Sequence, residues 1–188
     1  MKMGLNMAAA AFLVAGLAAC NQEKKPAVDQ NAETVAASPD RKTSASDETE
    51  FINKAAVGNM AEVLAGNLAA EKSENARVKA YGQMLAKDHG AADEALQTLA
   101  TEKNVTLPDA MDEAQKNHLN MMKEMSGSSF DGHYMAMMIE DHKKDIDAYK
   151  KAEKNIQDPK LKEMISNTLP VLQKHLDSAQ AIQKSLKK

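Results

Sequence analysis

Glu62, Asp88, His142 and His175 are ionisable side chains at positions where helical periodicity asks for apolar ones. An ionisable group buried without a partner costs several kcal/mol or changes its protonation state. Side chains of this kind converging in one core therefore need each other, a tyrosine hydroxyl, or a metal ion. Carboxylate oxygens and neutral imidazole nitrogens form a donor set for Zn, Fe, Mn or Cu. His89, Asp141 and Asp145 lie on or beside the same helix faces, as alternative ligands or as groups that orient the ligands. The opposing expectation is a purely structural polar network, with Tyr81, Tyr134 and Tyr149 as hydroxyl partners and no metal. No nucleophile motif, Gly-rich phosphate loop or readable substrate pocket accompanies these residues, so binding is expected ahead of catalysis.

Four long helices must carry these groups. Asp47 and Glu50 suggest a capping box for a first helix running to about Lys72, and Ser73 with Glu74 opens a second that ends near Glu102. Ser128 with Asp131 starts a third, through about Lys154, and Asp158-Pro159 opens a fourth that reaches about Leu186. On the first helix Glu62 interrupts the stripe Ile52, Ala55, Ala56, Val63 and Ala70. On the second, Asp88 fills the step between Leu85 and Ala92, with His89 on the flank. On the third, Asp141, His142 and Asp145 share a face with Phe130, Tyr134, Met138, Ile146 and Tyr149. On the fourth, His175 lies amid Leu161, Met164, Leu172, Ala179 and Ile182.

A shorter amphipathic stretch, Ala110 to Met125, lies between the second and third helices. Two hairpins joined by one long crossover predict an all-α, ferritin-like four-helix bundle whose crossover carries a short extra helix. On that extra helix His118 shares a face with Met121, Met122 and Met125, a strip that suits packing or, with soft thioethers, Cu(I). His133 points away from the apolar face and is expected in solvent. Gly58 and Gly66 flank Glu62 and predict close helix contact.

The chain has 188 residues, 43% hydrophobic and 27% charged, with a formal charge of −3 and only 3% aromatics. Such a balance supplies neither the basic field nor the stacking platforms that nucleic acids require. Residues 1–20 read as a leader: Lys2, an apolar run from Leu5 to Ala19, then Leu17-Ala18-Ala19-Cys20, which resembles a bacterial lipobox. Cys20 is the single cysteine, so its lipidation leaves no thiol for redox or soft-metal chemistry. Residues 21–46, rich in Lys, Ser, Thr, Ala and Pro, read as a flexible tether, and residues 47–188 as the bundle. The expected setting is the periplasmic side of the cell envelope, anchored through the lipid; Asn21 points to the outer membrane. No protein partner is nominated.

The runs Phe51…Ala55-Ala56…Glu62-Val63…Gly66, Met84…Asp88-His89, Leu107-Pro108, Phe130-Asp131…Tyr134…His142 and Leu169-Pro170…Leu172…His175 resemble the bacterial domain of unknown function 4142 family. The resemblance spans Glu48 to Ser185. It implies a ferritin-like helical fold, an outer-membrane or periplasmic setting, and recurrent acid and histidine positions at Glu62, Asp88, His89, His142 and His175. The Glu-x-x-His spacing of true di-iron ferritins occurs nowhere in the chain, and the nearest match is His142-x-x-Asp145 in reversed order. Di-iron oxygen chemistry is therefore not expected, whereas a mononuclear site survives. Metal storage, buffering or stress tolerance is the expected service, with a non-catalytic envelope scaffold as the rival.

Overall fold

A computed structural model describes residues 39–186. The expected leader, Cys20 and the tether up to residue 38 lie outside the described residues. Five helices follow in order: α1 (Pro39–Lys72), α2 (Ala76–Glu102), α3 (Glu113–Glu124), α4 (Gly127–Asn155) and α5 (Pro159–Leu186). Among the described residues there is no strand, and no helix is long and apolar enough to cross a membrane.

The helix ends show how local chemistry punctuates the chain. The expected boundary at Asp47 moves, because α1 already begins at Pro39 and residues 39–46 belong to the helix rather than to the tether. Proline presets φ for a first helical position and lacks only an N–H that the first turn cannot use. No Gly or Pro interrupts the chain from there to Gly58. Asp47 and Glu50 thus sit inside the helix, where Glu50 pairs with Lys54 one turn on, and no capping box forms there.

Asn75, not Ser73, caps α2, its Oδ1 accepting the N–H groups of Arg77 (2.9 Å) and Val78 (3.3 Å). Ser73 instead donates its hydroxyl to Asp131 Oδ1 at 2.6 Å, so buried Asp131 ties α4 to the α1–α2 turn rather than capping its own helix. Asp112 and Gln115 form a capping box on α3. Asp158 caps α5 as expected, accepting the N–H of Leu161 at 2.9 Å.

Ties at the two ends of the bundle reveal its direction pattern. Lys103, just past α2, meets Asp158 at 2.6 Å and Glu48 at 3.4 Å, so the C-terminus of α2 lies with the N-terminal parts of α1 and α5. Ser73 and the first turns of α4 share the opposite end. α2 and α4 therefore run parallel, and α1 and α5 run against them. The connection from α2 to α4 must then traverse the bundle, about 40 Å for a helix of this length. α3 covers part of that distance and packs on α1 and α4. Hairpins α1–α2 and α4–α5, with α1 also against α4 and α2 against α5, make the ferritin-like arrangement.

Two apolar clusters fill the interior. One holds Ile52, Leu96, Leu99, Ile146, Tyr149, Leu161 and Leu172; the other holds Ala65, Val78, Leu85, Phe130, Tyr134, Met138 and Ile182. Near the boundary between them each long helix carries a buried polar residue: Glu62, His89, His142 and His175. The core is thus two oily blocks separated by one polar layer.

α1 and α2 touch backbone to backbone at Gly66 and Gly82. A Cβ on Gly66 would stand 2.6 Å from the Gly82 carbonyl oxygen, and a Cβ on Gly82 equally close to that of Gly66. Gly58 makes no such contact, since a Cβ there meets nothing within 4 Å, so the close approach expected of both glycines holds only for Gly66. Gly66→Ala is expected to destabilise the fold by about 1–3 kcal/mol through overpacking. Gly58→Ala should gain up to about 1 kcal/mol of helix propensity. Urea unfolding of both variants checks this, and equal effects would disprove the contact argument.

Candidate metal centre

The polar layer assembles three imidazoles from three helices. His89, His142 and His175 are 5%, 0% and 1% exposed, and each brings a ring nitrogen to within 4.8 Å of the other two. Ring centroids are 5.7 Å apart for His89–His142, 5.4 Å for His89–His175 and 5.3 Å for His142–His175.

Each ring is held by an oxygen acceptor on one nitrogen. His89 Nδ1–H donates to Asn59 Oδ1 (3.0 Å), His142 Nδ1–H to the Met138 carbonyl (2.9 Å), and His175 Nε2–H to Asp88 Oδ2 (3.0 Å). An oxygen acceptor requires the proton on that nitrogen, so the lone pair resides on the other. Those other nitrogens are His89 Nε2, His142 Nε2 and His175 Nδ1, and none has a hydrogen-bond partner among the described residues. Outer acceptors that orient inward-facing imidazoles are the usual surroundings of metal-binding histidines.

Glu62 enters from α1, 4% exposed. Its Oε2 lies 3.4 Å from His89 Nε2 and its Oε1 3.4 Å from His142 Nδ1. Neither oxygen has a hydrogen-bond partner. Burial, aided by the charges of Asp145 and Asp141, raises the Glu62 pKa well above the usual carboxylate value. Burial also pushes His89 down to about 3, helped by His142 and His175, and His142 down to about 4, helped by His175. His175 is lowered by burial against the opposing pull of Asp88. Without a cation, burial thus favours the uncharged form of every member of the layer: free imidazoles and a protonated carboxylic acid. With a cation, the same acid can ionise and neutralise part of its charge.

Of the seven sequence-predicted residues the structure brings His89, His142 and His175 together, with the Glu62 carboxylate against the first two. His89, read as a flanking residue, is one of the three converging imidazoles. Asp88, read as filling the core step, lies partly exposed and grips His175 from outside. Asp145 is more deeply set and, through burial, raised to about 6. Asp141 is partly exposed, 3.8 Å from Lys144; with Asp145 it faces a cavity next to Glu62. Asn59, missed in the sequence, is the polar residue preceding Glu62 on the same buried stripe.

The tyrosines do not satisfy the layer. Tyr81 donates to the His175 carbonyl at 3.2 Å, and the Tyr134 hydroxyl is itself without a partner. Away from the core, His133 is not free in solvent: its Nε2 lies 2.7 Å from Nε2 of His118, linking α4 to α3.

The raised pKa of Glu62 has a measurable signature in metal-free protein. The folded chain favours the protonated acid, so this contribution is fully present below the unfolded value near 4.5 and is lost as pH rises through the folded value. Glu62→Gln, which mimics the neutral acid, should be nearly neutral at pH 4. Above that it should become progressively stabilising relative to wild type, by about 1.4 kcal/mol per pH unit until Glu62 ionises. Urea unfolding in chelator at pH 4, 5, 6 and 7 reads this directly; a difference independent of pH would refute it.

The family described as domain of unknown function 4142 matches the chain over residues 17–182. No curated protein and no solved structure matches it. With its helical bundle and the match extending over most of its length, the chain belongs to the domain of unknown function 4142 family.

Proposed function

We propose that the bundle is a mononuclear binding site for a divalent transition metal, carried by a lipid-anchored protein of the cell envelope. His89 Nε2, His142 Nε2, His175 Nδ1 and a Glu62 oxygen would be the ligands, with Asn59, the Met138 carbonyl and Asp88 holding the rings. One observation carries the reading: three imidazoles that bring ring nitrogens within 4.8 Å of one another each keep one nitrogen without a hydrogen-bond partner, beside a buried Glu62 whose oxygens have none either. Unsatisfied buried polar atoms each cost about 1–3 kcal/mol, and one cation satisfies the group together. Three imidazoles with one carboxylate suit Zn, Fe or Cu, and the carboxylate admits Mn. Storage, buffering or protection against metal stress follows from a buried site with no nucleophile beside it. The envelope setting rests on the lipobox-like residues ending at Cys20.

Metal analysis of the full chain, purified without a histidine tag, is expected to find close to one equivalent of a transition metal after loading and dialysis. His89→Gln, His142→Gln and His175→Gln should each weaken binding at least ~100-fold, and Asp88→Asn ~10–100-fold through the loss of ring orientation. Failure of wild type to bind Zn, Fe, Mn or Cu would leave a scaffold with a structural polar layer. Cys20→Ala is expected to abolish incorporation of labelled fatty acid and to move the protein from the membrane to the soluble fraction. Unchanged fractionation would refute the anchor.

A further inference from the structure

A cavity of about 340 Å³ lies between α1, α3 and α4, and Glu62 forms part of its wall. Asp141 and Asp145 line the same space from α4, one turn apart, and Met111, just before α3, closes it with His118 and Met122 of α3. Glu62 is thus shared: it borders His89 and His142 on one side and the cavity on the other, with both oxygens unpartnered. The one ammonium on the wall is Lys144, 66% exposed and engaged by Glu140 at 2.7 Å.

Other approaches to the imidazoles are less suited to a cation. A neighbouring cavity of about 80 Å³ reaches His89 and shares Asp145, but it is smaller and its wall is largely apolar, with Phe51, Ala55, Tyr149 and Leu172. The Asp88 side is occupied by the hydrogen bond that orients His175.

From this placement we propose that the α3-covered cavity is a cation vestibule: Asp141 and Asp145 collect a divalent metal ion and pass it to Glu62, which delivers it to the three histidines. This rests on the metal-site reading above and adds a route and two residues that act on the route. Carboxylates around a concave, low-dielectric space concentrate cations and speed their arrival. A residue that acts only on the path changes the rates of arrival and departure together and leaves the equilibrium constant alone. A ligand changes the equilibrium constant.

The test uses Co²⁺ with the full chain, measuring affinity by titration and rates by stopped-flow absorbance. In the Asp141→Asn/Asp145→Asn variant, arrival is expected to slow at least ~10-fold, departure to slow by a similar factor, and Kd to stay within about threefold. Wild-type arrival should fall steeply with added salt, and arrival in the variant only weakly. Gly58→Leu places bulk at a wall position where an added Cβ meets no atom within 4 Å, so it should obstruct the path and slow arrival without removing charge. Asp141→Asn alone, at a partly exposed position, gives a smaller slowing of the same kind and covers a double variant that fails to fold. Unchanged arrival rates in these variants would overturn the vestibule, as would a raised Kd with an unchanged arrival rate, which would make the aspartates ligands. If wild type takes up no Co²⁺ in the titration, the core site itself fails and the vestibule falls with it.

Discussion

The desolvation of one carboxyl group governs the centre of this molecule. Glu62 is enclosed by protein, without a hydrogen bond, and burial, with the nearby charges of Asp145 and Asp141, holds it toward the neutral acid. The three imidazoles around it are driven the other way in proton count but to the same end, no charge. The layer is therefore stable only as a neutral assembly or with a cation in it. A protonated glutamic acid can donate one hydrogen bond, which cannot satisfy three imidazole lone pairs and the remaining acid oxygen together. That residual polarity is what the proposed divalent ion would satisfy.

The surrounding hydrogen bonds turn that polarity inward. Each imidazole has two nitrogens, and one of them is committed to an oxygen: a side-chain amide from α1, a carbonyl one turn back on α4, and a carboxylate from α2. The Met138 carbonyl lies four residues before His142, so α4 supplies both ring and anchor, although that carbonyl also belongs to the helix ladder. The other two anchors cross between helices, which makes ring orientation depend on the register of α1 against α2 and of α2 against α5. Backbone contact at Gly66 and Gly82 sets the first of these registers within two turns of Glu62 and His89.

Much of this was legible in the sequence because a polar residue in an apolar stripe stands out. Glu62, His142 and His175 could be placed that way, and so could the crossover, since two hairpins with short turns leave only one long connection. The exchange of Asp88 and His89 shows where helical periodicity alone does not decide. Relative to Leu85, Asp88 falls about 60° to one side of the stripe and His89 about 40° to the other. Gly82 and Ala100 are buried on the His89 side and tip the balance, but small residues carry little weight in a hydrophobic pattern. The His118–His133 link was not readable, because it joins a crossover helix to the bundle and depends on where α3 lies. The start of α1 was misplaced because a charged, alanine-containing stretch satisfies both tether and helix until Pro39 is read as a first-turn proline.

The same layer bears on why these four helices pack in one alignment. Apolar clusters on either side are rich in interchangeable Ala, Leu, Ile and Met contacts, and such surfaces tolerate sliding. Shifting one helix by a turn would carry its polar residue about 5 Å into an apolar block, where an unpartnered imidazole or acid is costly. Register selection by a polar layer is best attested in coiled coils, and the arrangement here has the same logic. A cation that binds only the aligned state adds stability that grows with the logarithm of its concentration. Replacing the layer with apolar residues would remove the desolvation cost and, with it, both the alignment signal and the ligand set. The desolvation cost around Glu62 is therefore the physical condition on which the proposed response to metal depends.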